Sequence, residues 1–129
     1  HDDIRAMEKH HAIATYKKLW WDRYKYNLIQ DTDVAIKVFS FSINMGSNQA
    51  HTIVQRACNA VSIAVDETPL LVEDGVFGPK TRTAINGTDP LTMRVAIGCE
   101  AAGFYRYLVG RNKAKYGKFL KGWLNRAYE

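Results

Sequence analysis

Six carboxylic acids in this chain could take part in acid–base chemistry. They are Asp22, Asp31, Asp33, Glu73, Asp74 and Glu100. Glu100 differs from the others because it lies in the apolar segment VAIGCEAAGFYRYLV, whose neighbours would desolvate the carboxyl and disfavour its charged form, as a general acid requires. The alternative is an ion pair with Arg94, Arg106 or an arginine of another helix, since buried acids are usually paired. Asp31 and Asp33 stand at the start of a helical pattern, where capping explains them.

Four aromatic residues cluster near the N-terminus: Trp20, Trp21, Tyr24 and Tyr26. One helix cannot bury all four rings on one side, so at least one should reach the surface or line a groove. Exposed ring faces could stack on sugar rings, whereas packing in the core would use the large apolar area of each ring. The residues alone leave both interpretations open.

Several familiar catalytic motifs are absent from the sequence, among them GxSxG, HExxH, the phosphate-binding P-loop and the EF-hand loop. His10, His11 and His51 do not combine into a ligand set and are predicted to be surface or half-buried residues. Cys58 and Cys99 lie in apolar helical patterns and are predicted to be buried free thiols. The sequence therefore predicts neither a metal site nor a cofactor.

The octapeptide DGVFGPKT, residues 74–81, combines turn and helix-start signals. Asp74 and Gly75 predict a turn, Gly78 frees the backbone, and Pro79 suits the first position of a helix because its missing N–H is not needed there. Thr81 completes the motif. This chemistry favours a structural role, although a ligand contact stays open.

Charge is uneven along the 129 residues. Eighteen Lys and Arg against thirteen Asp and Glu give a net charge of +5, which favours polyanionic partners such as nucleic acid, anionic lipid or wall polymers. Residues 106–126 contain seven basic side chains and no acid. This segment is either a solvated helix face or a binding surface. No run of 18 apolar residues that could span a membrane is present, and no signal peptide is visible.

Apolar spacing of three and four residues predicts an all-α fold of five or six helices in one domain. The predicted helices cover residues 7–26, 33–45, 48–62, 79–85, 90–109 and 113–127. Residues 12, 13, 16, 19, 20 and 24 would form the apolar stripe of the first helix. Gly46 and Gly110 are predicted to separate helices, and residues 64–77 to form an irregular loop or a small hairpin.

Five segments in this order carry a resemblance: AIATYKKLWWDR, VAIKVFSFSINMG, VQRACNAV, DGVFGPKT, and FYRYLVGRN with KFLKGWLNR. The succession resembles the glycoside hydrolase family 108 endolysins with their predicted peptidoglycan-binding C-terminal region. Those are lysozyme-like muramidases of phages and prophages, and some members are described as secretion activator proteins. The resemblance implies a lysozyme-like helical domain, with residues 1–46 as the latter part of the catalytic region and residues 47–129 as the peptidoglycan-binding region.

The resemblance also implies where chemistry should lie. Family members carry their catalytic Glu in an EGGY-type segment, and this chain contains no EGG, so that residue is expected before His1 and no catalytic residue is assigned here. Trp20, Trp21, Asp22, Asn44 and Gly46 are expected to flank the glycan groove. The implied partner is the peptidoglycan glycan strand, and the implied location is the bacterial cytoplasm with export or release to the periplasm and cell wall.

Two other classes of function remain open. A peptidoglycan-binding or secretion-regulating module without catalysis fits the chain as it stands. A basic helical nucleic-acid binder is favoured only by net charge, and the last helix offers lysines with few amide side chains that could read base edges. Nucleic acid is therefore not expected as a partner.

Overall fold

The computed structural model describes the backbone of residues 2–64 and 70–129, with the side chains of residues 8, 9, 11–62 and 70–129. Its α-helices are α1 (Asp2–Tyr16), α2 (Thr32–Met45), α3 (Ser47–Ala64), α4 (Pro79–Asn86), α5 (Pro90–Arg111), α6 (Lys113–Tyr116) and α7 (Leu120–Ala127). Short 3₁₀ turns cover Tyr26–Leu28 and Gly117–Phe119. The described residues contain no strand, which confirms the all-α prediction.

The region between α3 and α4 was predicted as an irregular loop or a small hairpin. Residues 70–78, here called the motif loop, run irregularly and form no strand, so the loop alternative is confirmed for them. Residues 65–69 of the predicted loop lie outside the described residues. The motif loop is held by side chains of α3 rather than by a ladder of backbone hydrogen bonds.

The first predicted helix, residues 7–26, is wrong as a single element. Helix α1 ends at Tyr16, and the chain continues in a wide π-helical turn over Lys17–Asp22. Lys25 then takes a left-handed conformation with φ 55°, which stops the helix before the buried Tyr26. Widening the turn changes the direction in which successive side chains point, so the aromatic residues need not share one face.

The predicted apolar stripe of this first helix is also wrong for α1. Ala12, Ile13, Tyr16 and Leu19 are exposed, with Ile13 54% accessible. Only residues beyond the wide turn approach the core. Among the described residues, α1 contacts mainly that turn.

Helices α2, α3 and α5 contribute most of the core. Its fully buried members include Phe41 of α2, Ile53 of α3 and Ile97 of α5. Burying each such side chain stabilises the fold by roughly 1.5–3 kcal/mol relative to exposure. The core cluster takes residues from Tyr26 through Ala127, so both the N-terminal and C-terminal parts of the chain contribute to it.

Predicted helix boundaries are mostly confirmed because capping chemistry fixes them. Asp31 Oδ1 accepts the Val34 N–H at 2.9 Å at the start of α2, and Asp89 caps α5 in the same way. Gly46, with φ 90°, separates α2 from α3. The predicted break at Gly110 is wrong, because α5 runs on to Arg111 and Asn112 makes the junction to α6. One exposed glycine weakens a helix by only about 1 kcal/mol, which the remaining helical residues offset.

Helix α7 closes the molecule against α5 and α2. Gly98 of α5 lies so close to the Ala127 carbonyl that a Cβ there would collide with it. Lys37 of α2 donates from Nζ to the carbonyl oxygens of Ala127 and Glu129, both at 2.9 Å. The final turn of the described chain is therefore fixed to a helix near its beginning.

Candidate functional site

The motif loop is anchored to α3 by Gln55, which is 2% exposed. The Gln55 amide donates from Nε2 to three acceptors: the Val76 carbonyl at 2.9 Å, Asp74 Oδ1 at 3.2 Å and Thr81 Oγ1 at 3.2 Å. In return, Gln55 Oε1 accepts the Gly75 N–H at 2.8 Å. One buried side chain thus satisfies polar groups along the whole motif, as a loop without secondary structure requires.

A second anchor lies one turn further along α3. Asn59 donates to the Leu71 carbonyl at 2.9 Å and accepts the Leu71 N–H at 2.7 Å, replacing the backbone partner that a strand would have supplied. Asn59 also donates to Glu73, whose carboxylate pairs with Arg56 at 3.1 Å. The amide of Asn59 and the guanidinium of Arg56 together lower the pKa of Glu73.

The five predicted motif residues, Asp74, Gly75, Gly78, Pro79 and Thr81, are brought together, and each has a structural task. Asp74 Oδ1 accepts the Val76 N–H at 2.9 Å, a bond that lowers the pKa of the carboxyl. Gly75 has φ 76° and lies against Asn48, where a Cβ would collide. Gly78 precedes α4, Pro79 opens it, and Thr81 is buried beneath Gln55. Whether a ligand also touches them stays a prediction.

A shallow groove of about 920 Å³ runs beside the motif loop and the start of α4. Its lining is mainly apolar and includes the exposed side chains of Leu70, Val72 and Val76. Lys80 is the cation at its edge. The groove can cover an apolar group but brings no pair of acid–base side chains together, because the Asp74 carboxylate is already engaged by the loop.

The aromatic cluster surrounds a buried hydrogen-bonded chain. The Tyr26 hydroxyl lies 2.5 Å from Ser42 Oγ and 2.6 Å from His51 Nε2. The rings of Tyr24 and Phe77 pack on His51, each with centroids 4.6 Å away. His51 is 1% exposed, so the prediction of a surface or half-buried histidine is wrong.

Burial determines the protonation states of His51 and Tyr26. It lowers the pKa of His51 to about 4, opposed by a hydrogen bond to the Gly75 backbone. Burial is the larger effect, so the imidazole is neutral, and its Nε2 shares a hydrogen bond with the Tyr26 hydroxyl. Burial also raises the pKa of Tyr26. Both groups are therefore neutral near pH 7.

Of the five residues expected to flank a glycan groove, the structure places one among the aromatic rings that surround Tyr26. Trp21 packs edge-on against Phe39 of α2, with centroids 5.5 Å apart. Trp20 instead contacts Tyr16, and the exposed Asp22 lies 4.0 Å from Lys17.

Asn44 and Gly46 lie two residues apart, exposed at the end of α2. The Asn44 amide donates to the Ser40 carbonyl at 2.7 Å. The groove beside the motif loop and a second groove between α2, α5 and the C-terminal residues are lined by other side chains. A shared site for all five residues, including Trp20, Trp21 and Asp22, stays a prediction.

The acids resolve into structural roles. The pKa values of Glu73, Asp74 and Asp89 are lowered by hydrogen bonds, which is the opposite of what a general acid at neutral pH needs. Asp33 pairs with Arg94 at 3.2 Å. Glu100 is only half-buried.

The predicted partners of Glu100 are engaged elsewhere. Arg94 bonds to Asp33, and Arg106 donates to the Tyr128 hydroxyl at 3.0 Å. The ion pairs among the described side chains do not include Glu100, so the expected ion pair with an arginine is wrong for this part of the chain.

A smaller groove of about 370 Å³ lies between α2, α5 and the C-terminal residues. Most of its charged side chains already have partners within the protein. Arg94 pairs with Asp33, and Lys37 donates to the carbonyls of Ala127 and Glu129. Among the described side chains, those of residues 8, 9, 11–62 and 70–129, no group of three or more His, Cys, Asp or Glu could hold a metal ion.

The two cysteines differ in their surroundings. Cys58 is buried beside Met93, and burial raises the pKa of its thiol to about 12. Cys99 is exposed, which corrects the prediction of two buried thiols. In the described part of the chain, none of the helices combines the length and apolar character needed to cross a bilayer.

Sequence reasoning missed the anchors of the site. Gln55 and Asn59 lie four residues apart on α3, so they project from the same face as the buried Ala and Val residues around them. Amide side chains placed on an otherwise apolar face were the available signal. Tyr26 and His51 carried a weaker one, because nothing local relates residues 25 positions apart.

Comparison with known protein families now places the molecule. The class is that of helical, lysozyme-like proteins directed at peptidoglycan: residues 49–128 match the family described as Predicted Peptidoglycan domain, and residues 1–46 match Glycosyl hydrolase 108. The chain belongs to the Predicted Peptidoglycan domain family, whose match covers more than half of it. The resemblance noted in the sequence is thereby confirmed. No curated protein and no solved structure shows significant similarity to the chain.

Proposed function

We propose that this chain is the strand-holding part of an N-acetylmuramidase of the phage or prophage endolysin type, which hydrolyses the bond between N-acetylmuramic acid and N-acetylglucosamine. It would be made in the bacterial cytoplasm and reach the wall by export or release. Residues 1–46 resemble the glycosidase and residues 49–128 a wall-binding region. The proposal depends on these two parts working as one body.

The observation that carries the proposal is the buried chain from Ser42 through Tyr26 to His51. Ser42 and Tyr26 belong to the glycosidase-like segment, and His51 belongs to the peptidoglycan segment. Breaking a buried hydrogen bond leaves its donor and acceptor unpaired and without water, which carries their full desolvation penalty. These bonds therefore hold the two segments in a fixed relation. A fixed relation would keep a bound glycan strand in register with the glycosidase part.

The general acid is proposed to lie outside this chain, in the EGGY-type segment that family members carry. Glycoside hydrolysis needs a protonated carboxyl near the glycosidic oxygen. Support comes from the lowered pKa values of Glu73, Asp74 and Asp89, which keep these groups ionised. The same observation favours a second candidate, a wall-binding or secretion-regulating module without hydrolysis.

A sedimentation and product assay tests the proposal. Purified 129-residue chain is mixed with bacterial sacculi; bound protein is measured in the pellet, and newly formed reducing sugars in the supernatant. We expect binding without hydrolysis, and muramic-acid reducing ends once the EGGY-type segment precedes the chain. Absence of binding would contradict the wall assignment. Binding without hydrolysis by the longer protein would favour the non-catalytic module, and N-acetylglucosamine reducing ends would contradict muramidase chemistry.

A further inference from the structure

A band of exposed cations covers the end of α5, α6 and the beginning of α7. We call it the C-terminal basic face, and it consists of Arg106, Arg111, Lys113, Lys115, Lys118 and Lys121. The ion pairs found in residues 8–62 and 70–129 involve other side chains: Lys17–Asp22, Arg56–Glu73 and Arg94–Asp33. The cations of this face therefore take part in none of the ion pairs among the described residues.

Aromatic rings alternate with these cations. The guanidinium of Arg111 lies 5.8 Å from the Tyr107 ring centroid and donates to its hydroxyl at 3.0 Å. Arg106 holds the same relation to Tyr128, at 5.9 Å and 3.0 Å. Lys118 lies 5.1 Å from the Phe119 ring centroid.

The rings themselves are open to solvent. Tyr107 is 58% exposed, Tyr128 57% and Phe119 45%. Each guanidinium retains further N–H donors after its single bond to a tyrosine, and these donors suit a carboxylate. The cation contacts also hold the rings in place, which lowers the entropy lost when a ligand binds.

A ligand that uses both components needs flat apolar faces and anionic groups on one polymer. A peptidoglycan strand offers this combination, since its pyranose rings present C–H faces and its stem peptides carry free carboxylates. A polyol phosphate would use the cations and leave the rings unused. Residues 106–128 also lie within the segment that matches the Predicted Peptidoglycan domain.

We propose that the C-terminal basic face is the peptidoglycan-binding surface of this protein: its cations pair with stem-peptide carboxylates while Tyr107, Phe119 and Tyr128 contact the sugar rings. This inference rests on the proposed function and locates its wall-binding step. It moves that step away from residues 20–22 and the end of α2.

The charge component is tested with a triple variant of the full chain, Arg111→Gln, Lys115→Gln and Lys118→Gln. Its matched control, Lys9→Gln, Lys18→Gln and Lys80→Gln, removes the same net charge from other surfaces. Sacculi are first freed of attached phosphate polymers. We expect about tenfold weaker binding for the triple variant and less than twofold for the control, because contact pairs outweigh long-range attraction at physiological salt.

The ring component is tested by Tyr107→Leu with Phe119→Leu, which keeps every charge. Two ligands are compared: intact sacculi and sacculi whose carboxylates have been converted to neutral amides with a carbodiimide and ammonia. The leucine variant should bind both ligands about fivefold more weakly, because both retain the sugar faces that the rings contact. The charge variant should be impaired only on intact sacculi, where the carboxylates remain. Circular dichroism and thermal unfolding confirm that each variant is folded.

Several results would overturn the inference. Equal binding of the triple variant and the unmodified chain to sacculi would remove the surface while leaving peptidoglycan binding intact. A larger loss in the control would place the surface elsewhere. Tighter binding to anionic vesicles or single-stranded DNA than to sacculi would show that the face recognises phosphate. If the unmodified chain binds no form of peptidoglycan, the proposed function fails as well.

Discussion

The motif loop and the C-terminal basic face use polar side chains in opposite ways. Around the loop, Gln55, Asn59 and Asp74 are engaged by neighbouring backbone and side-chain groups. On the face, Lys115 and Lys118 are exposed and lie over aromatic rings that are themselves accessible. The contrast teaches that a motif diagnostic of a family need not be its binding site. The loop's residues are explained by the chain's own geometry, whereas the face is not.

Replacing Gln55 with Leu should have the largest effect on stability. It leaves the part-buried Gly75 N–H without its acceptor and removes the donor shared by three motif groups. We expect the free energy of unfolding to fall by about 3 to 4 kcal/mol, measured by urea denaturation. Gln49→Leu on the same helix is the control and should cost under about 1 kcal/mol. Equal losses would mean that the loop does not depend on its anchor.

Replacing Gly75 with Ala should lower the free energy of unfolding by about 2 to 3 kcal/mol. Its φ of 76° and the adjacent Asn48 both oppose a Cβ. Gly78→Ala is the control in the same motif, because φ there is −126° and no atom lies within 4 Å of the added carbon. That variant should cost under about 1 kcal/mol, with both measured by thermal unfolding. The comparison separates the two glycines that the sequence motif treats alike.

Acidification should weaken the buried hydrogen-bonded contact between Tyr26 and His51 before it affects the C-terminal basic face. Since burial depresses the pKa of His51 from 6.5 to about 4, the unfolded chain takes up the proton first, and stability is lost as the pH falls from 6.5 towards 4. We expect a loss of about 2 kcal/mol between pH 7 and pH 5.

Two variants isolate this pH dependence. His11→Gln should retain the loss and His51→Gln should remove it. The lowered carboxyl pKa values of Glu73, Asp74 and Asp89 act in the same direction, but only below about pH 4.5. An NMR titration showing His51 protonated at pH 6 would contradict the buried neutral imidazole.

The smallest effect is expected within the face. Gly110 is exposed in α5, and a Cβ there would meet nothing within 4 Å. Gly110→Ala should therefore raise the free energy of unfolding by about 0.5 to 1 kcal/mol and leave sacculus binding unchanged. A destabilised variant would instead support the helix break that the sequence suggests at this position.

Local chemistry decided which parts of this fold could be predicted. The cap at Asp31 and the helix start at Pro79 follow from interactions within four residues, and they were predicted correctly. The wide turn after Tyr16 was missed because the apolar spacing continues through residues 19, 20 and 24 and so predicts one uninterrupted helix. The break predicted at Gly110 overweighted one residue against a long helix.

The candidate site divides in the same way. Turn and helix-start roles for Gly75, Gly78 and Pro79 could be predicted from the motif, because glycine and proline act on their own backbone. The anchors could not, since Gln55 reaches residues 19 to 26 positions away. The residues expected to flank a glycan groove came from family resemblance and from their clustered polar and aromatic character, and their placement stays a prediction.

The clamp formed by Lys37 has a consequence for how the protein is made. Its ammonium group binds carbonyls 90 and 92 positions further along the chain. During synthesis α2 leaves the ribosome long before α7, so the surface that α7 packs on stays open until residues 120–129 have emerged. Contacts of such large sequence separation close late and slow folding. Translation thus sets an order in which α7 packs onto α2 and α5 after those helices have been made.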